Sequence, residues 1–210
     1  MRFKYYAVKL SLVIVTVFVL QIFVSGFTEM FVLNSASFVQ PWRFLTSVFL
    51  HGGIGHLVLN LFALLMFGSI LEKFIGERKF LLVFFTTGIL ANLISINFYS
   101  SSLGASGAIF GVIGALIIVR PGMPVFVFGL PMPLFLAGII WAGTDILGAV
   151  GFFTGNPINN TGNIAHLSGM FFGFIFGWVY RKRIKKKTRR VNASIDEGVV
   201  RNWEDFYMSR

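Results

Sequence analysis

Long apolar runs separated by short polar breaks recur along the chain. Runs of spanning length lie near 7–26, 56–75, 79–98, 125–147 and 164–180, and a shorter one extends from Ser106 to Val119. Because a helix needs about 20 apolar residues to cross the hydrocarbon core, the pattern predicts an all-α membrane protein with six helices, the fourth of them short. The stretch from Thr28 to Gly55 is too long for a tight turn and too apolar for a plain solvent loop. Its spaced aromatics, Phe31, Phe38, Trp42, Phe44 and Phe49, predict a segment lying in the membrane interface. Gly148 to Asn163, nearly neutral and rich in Gly, Asn and Thr, reads as an outer loop.

The first run has some features of a secretory signal: Arg2 and Lys4 precede it, and the small residues Ser25 and Gly26 follow it. Its apolar stretch, from about Ala7 to Phe27, exceeds the usual h-region of roughly 7–15 residues, so a retained helix is the expectation. Residues 1–180 are then one membrane domain and 181–210 a basic tail.

Composition agrees with the bilayer as solvent, at 56% hydrophobic and 12% charged residues. The net charge of +10 does not point to nucleic acid, because it is concentrated in one place: eight of the ten residues from Arg181 to Arg190 are Lys or Arg. That run reads as a topology signal attracted to anionic lipids of the inner leaflet. With no cysteine, a thiolate nucleophile and a thiolate metal site are excluded.

Charge also orients the helices. Arg2, Lys4, Lys9, Lys73, Arg78, Lys79, Arg120 and the tail all fall on one side if six helices alternate, leaving Arg43 as the single Lys or Arg on the other. The positive-inside rule then predicts a multi-pass protein of the plasma membrane with both termini cytoplasmic.

Candidate chemistry gathers at the outer ends. His51, His56 and Asn60 form H-x4-H-x3-N, and the four-residue step from His56 to Asn60 puts both side chains on one helical face. The bland account is polar residues joining helices by hydrogen bonds. The short fourth helix opens Gly104-Ala105-Ser106-Gly107. From Ser106 to Arg120 it rises about 21 Å, less than the hydrocarbon core, so Ser106 is expected inside the membrane at a helix N-terminus, where unpaired N–H groups favour a developing oxyanion. The polar segment Asn97 to Ser102 would descend to meet it.

Gly107 and Gly111 could equally make Ser106 part of a packing seam. A second small-residue ladder, Gly169, Gly173 and Gly177, begins three residues after His166. If the two glycine faces meet, His166 comes beside Ser106, an arrangement suited to general base and nucleophile. His56 and Asn60 are then available as donors to a tetrahedral oxygen. No acidic residue adjoins His166, so the expectation is a Ser–His dyad rather than a triad, with Phe110 able to hold the imidazole by ring contact. Asp145 and Glu72, near helix ends, read as anchors.

Trp42-Arg43, H-x4-H-x3-N from His51 to Asn60, Gly104-Ala105-Ser106-Gly107 and Ala165-His166-x-x-Gly169, in this order, resemble the rhomboid family of intramembrane serine proteases. The resemblance covers the first helix to about Tyr180. It implies a six-transmembrane-helix rhomboid-like bundle, Ser106 and His166 as catalytic dyad, Asn60 and His56 as oxyanion partners, and neither metal nor ATP. It further implies a single-span membrane protein as substrate, entering past the first loop and the fifth helix, with cleavage near the outer membrane face and next to a small residue. Trp42 and Arg43 would be structural, and Glu72 with Lys73 would tie the second helix to its neighbours. Phe110 stands where some relatives carry tyrosine, which keeps ring stacking and removes a hydroxyl.

The rival within the same fold is a non-catalytic, rhomboid-like client-binding protein, which is expected to lack Ser106 or His166. A transporter would show internal repeats or mid-membrane charge, and a zinc protease an H-E-x-x-H helix; neither pattern occurs.

Overall fold

Proline and glycine decide where the apolar runs become helix. In a computed structural model that describes residues 5–127, 129–156 and 162–182, the first helix, α1, covers Tyr6–Phe23. Helix α2, Ile54–Ile75, contains a π-helical segment at Leu64–Gly68 and stops at Gly76, whose φ of 86° favours glycine. Helix α3 follows at once as Glu77–Ser95, and α4 is Ser106–Val119, the bounds expected from the sequence. Helix α5 is Leu134–Phe153, and α6 covers 163–182.

By length and composition α1, α2, α3 and α5 can each cross a membrane, and α4 is a shorter apolar helix. Their outward surfaces carry large apolar side chains, among them Leu12, Ile22, Leu59, Phe62, Ile139 and Leu147. In water such a coat would be costly; in hydrocarbon it is the ordinary surface of a bundle.

The fifth run is a correction. Residues 125–147 were expected to be one helix, but Pro124–Val127 and Leu130–Pro133 form an antiparallel hairpin with Val125 opposite Met132. The helix starts nine residues later and continues through Gly148 to Phe153, into what was expected to be loop. Pro124, Pro131 and Pro133 remove the N–H groups a helix would need, and Gly129, with φ 80°, supplies the turn.

Thr28 to Gly55 folds into short helical turns, Phe27–Phe31, Ser35–Phe38, Arg43–Thr46 and Ser47–Phe49. Arg43 is buried there. Its Nη1 donates to the carbonyls of Glu29 and Val32 at 2.7 and 2.9 Å, and its Nε donates to Gln40 Oε1 at 2.6 Å, so one guanidinium closes the loop on itself. Trp42 beside it is exposed. Leu33–Asn34 pairs with Ser101–Ser102, which ties this loop to the chain entering α4.

The helix ends gather on two opposite faces. On one, Glu72 near the end of α2 accepts from the N–H groups of Tyr6 and Ala7 at the start of α1, both at 3.1 Å. Arg120, after α4, lies 4.4 Å from the Phe74 ring of α2, and Lys79 of α3 lies 5.4 Å from the Tyr180 ring of α6. The first N–H groups of α5 reach back to Met123 and Pro121 on the same side. The basic ends of the described helices therefore share one face, as the charge pattern predicted. Arg2, Lys4 and nearly all of the basic tail lie outside the described residues.

Candidate active site

Glycine sets the distance between α3, α4 and α6. A Cβ at Gly169 would overlap the carbonyl of Gly107, one at Gly173 the carbonyl of Gly111, and one at Gly177 would come within 2.7 Å of the Ala115 carbonyl. The two small-residue ladders do face each other, and α6 lies directly on the α4 backbone. On the opposite side of α4, Gly111 is filled by Thr87 of α3, and Gly107 meets Ala91. Helix α4 is thus clamped between two neighbours, with buried residues through most of its length.

This clamp brings His166 against the first turn of α4. The His166 and Phe110 rings are stacked, with centroids 4.3 Å apart and planes 5° from parallel. Ser106 is the first helical residue of α4, one turn before Phe110 on the same face, and is half-buried. Its own N–H is one of the groups a helix start leaves unpaired. Ser106 Oγ makes no hydrogen bond among the described residues.

Gly104 brings a third element to the same place. At φ 125° it turns the chain into α4, its N–H donating to the Ser47 carbonyl at 2.9 Å, and a Cβ there would sit 2.7 Å from His56 Cε1 and 2.9 Å from Nε2. The His56 edge therefore lies on the Gly104 backbone, two residues before Ser106. Gly52 N–H donates to His56 Nδ1 at 3.4 Å, which assigns the proton of the neutral ring to Nε2, the atom facing the α4 entrance. Asn60 is buried one turn further along α2, where its Nδ2 donates to the His56 carbonyl at 2.8 Å and keeps a second hydrogen. His51 stands behind His56 with ring centroids 5.0 Å apart.

One expectation is overturned. His166 does have an acidic neighbour: its Nδ1 lies 3.0 Å from Asp145 Oδ1. Asp145 is on α5, 5% exposed, and is no anchor at a helix end, since α5 runs eight residues past it. Twenty-one positions and a loop separate the two residues, so no local spacing could have joined them. Glu72 does act as an anchor, through the α1 backbone rather than through Lys73. Among the described residues no group of three or more His, Cys, Asp or Glu is arranged to hold a metal ion.

Comparison with known proteins identifies the family. A Rhomboid domain model matches residues 39–183. The chain is 38% identical over 138 residues to Rhomboid protease GluP of Bacillus subtilis, covering 63% of this chain and 25% of that protein. It is 31% identical over 159 residues to Putative rhomboid protease YdcA of the same organism, covering 71% and 70%. It is 31% identical over 149 residues to human Presenilin-associated rhomboid-like protein, mitochondrial, covering 68% and 39%. The match to the first three curated relatives spans from a quarter to about half of their lengths. With helices of spanning length and a Rhomboid domain across most of its sequence, this chain is an integral membrane protein and belongs to the rhomboid family.

Proposed function

We propose that this protein is an intramembrane serine endopeptidase in which Ser106 is the nucleophile and His166 its general base. The observation that carries the reading is the His166 imidazole held flat on Phe110 at the first turn of a helix that begins with Ser106. A serine at an unpaired helix N-terminus, a histidine stacked on the residue one turn along that helix and two further donors on α2 are the kinds of group that acyl transfer requires.

In the proposed reaction Ser106 Oγ attacks the scissile carbonyl carbon and its proton passes to His166 Nε2. The carbonyl oxygen becomes an oxyanion, met by the Ser106 N–H, by His56 Nε2–H and by the free Asn60 Nδ2–H. The imidazolium then protonates the leaving amine as the C–N bond breaks. A water, deprotonated by the same histidine, hydrolyses the acyl-enzyme and returns Ser106.

The six helices are proposed to cross the bilayer in alternation with the basic face and both termini cytoplasmic, in the plasma membrane, so that cleavage occurs near the outer face. Several relatives carry mitochondrial or chloroplastic names, and microscopy of a tagged protein tests the plasma-membrane placement against those alternatives. The proposed substrates are single-span membrane proteins whose helix unwinds near its outer end. No metal or other cofactor enters the scheme.

The test is cleavage of a reporter with one transmembrane helix by purified protein in detergent. Ser106→Ala and His166→Ala should each reduce cleavage by at least about 1,000-fold, and a chelator should change nothing. Cleavage surviving Ser106→Ala would remove the nucleophile assignment. No cleavage by the wild type on several reporters would favour a client-binding rhomboid-like protein.

A further inference from the structure

An ionised carboxylate within an apolar helix is costly, and the cost is offset only by partners. Asp145 lies in the interior of α5, between apolar turns, and is buried. Its Oδ1 meets His166 Nδ1 at 3.0 Å, while its Oδ2 has no hydrogen-bond partner among the described residues. One contact to a neutral imidazole is a poor return for burying a charge if packing is the purpose.

The contact does have a chemical consequence. A neutral imidazole carries one proton, and a carboxylate at Nδ1 accepts it there, so the lone pair is left on Nε2. The Phe110 stack fixes the plane of the ring but is indifferent to which nitrogen is protonated, and a half-turn about the Cβ–Cγ bond would return the ring to the same plane with the stack intact. Only a partner at Nδ1 distinguishes the two nitrogens. His56, the other histidine at the site, is directed oppositely: it accepts at Nδ1 and presents Nε2–H.

We infer that Asp145 is a positioning residue for His166, accepting its Nδ1–H so that Nε2 is the base, and stabilising the imidazolium formed when Ser106 gives up its proton. The working site is then a Ser106–His166–Asp145 relay of orientation, assembled from α4, α6 and α5. Asp145 itself stays unprotonated throughout, the proton moving between Ser106 Oγ, His166 Nε2 and the leaving amine. This rests on the proposed protease reading and adds to it a residue from the helix expected beside the substrate's entry.

Two measurements test it. The first is reporter cleavage by wild type and Asp145→Asn, with folding checked by thermal unfolding in detergent. The near-isosteric amide should lower kcat by about 30-fold or more with KM within about twofold, less than a soluble triad loses because Phe110 still holds the ring. The second is proton NMR of protein carrying 15N-histidine. The wild type and Ser106→Ala should show a downfield Nδ1–H resonance that is absent from both Asp145→Asn and His166→Ala. Wild-type kcat in Asp145→Asn, or no such resonance in wild type, would overturn the inference and leave the Ser106 and His166 assignments standing. A wild type that cleaves no reporter would overturn the protease reading, and this role of Asp145 with it.

Discussion

The His166 imidazole lies parallel to the Phe110 ring, 4.3 Å from centroid to centroid. One residue of α4 thus determines the plane in which a residue of α6 can act. Replacing Phe110 with Leu keeps the apolar volume and removes the flat surface, so kcat of reporter cleavage should fall by about tenfold with little change in unfolding temperature. Phe110→Tyr should retain activity within about threefold, since the ring is kept. Equal activity in all three would mean that the stack is packing alone.

Gly173 faces the Gly111 carbonyl with no room for a Cβ. The obstacle is backbone on both sides, so no side chain can rotate away. Gly173→Ala should therefore separate α4 from α6, with a loss of about 1–3 kcal/mol, read as an unfolding temperature lower by several degrees in detergent. Activity should fall as well, because His166 and Phe110 sit on the helices being separated. The comparison substitution is Gly26→Ala, in a loop with open space around it; its φ of 78° makes it mildly strained, yet it should leave cleavage unchanged.

His51 is buried outside the spanning helices, and its pKa is lowered from 6.5 to about 4, first by burial and then by neighbouring His56, against a raising contact from the Phe49 carbonyl. The neutral ring is the folded form, whereas in the unfolded chain the ring gains a proton near its ordinary value. Between pH 6.5 and about 4 the unfolded state holds more protons, so stability falls as pH falls through that window and the loss levels off below it. Unfolding temperature in detergent should drop between pH 7 and pH 4.5, and His51→Gln should flatten that drop relative to wild type. An identical slope in the variant would assign the acid sensitivity to other groups.

Much of this was readable from residues alone, and the failures have physical causes. The bounds of α4 were legible because Ser106 and Arg120 bracket an uninterrupted apolar run. The α4 and α6 contact was legible because glycines repeated every fourth residue can serve only a close backbone approach. The stack of Phe110 was legible because it lies one turn from Ser106. The hairpin at 124–133 was not, since Val125, Phe126 and Val127 are as apolar as a spanning helix and only the prolines at 124, 131 and 133 deny that run its helical N–H groups. Asp145 was missed for a different reason. Its partner is on another helix across a loop, and the α5 register that aims it at His166 is set by packing, which no periodicity along the chain encodes.

Glu72 takes the first two backbone donors of α1, sixty-six and sixty-five positions earlier in the chain. During synthesis both partners leave the ribosome before any residue of α3 to α6, so this contact can close while the later helices are still being made. Once closed, it fixes the start of α1 beside the end of α2 and leaves a two-helix template for the rest to join. The order of assembly is thereby biased from the N-terminal end, and the serine-bearing α4, which needs α3 on one face and α6 on the other, is completed only when the last helix arrives. The contact that brings His166 to the Ser106 end of α4 is therefore among the last to form.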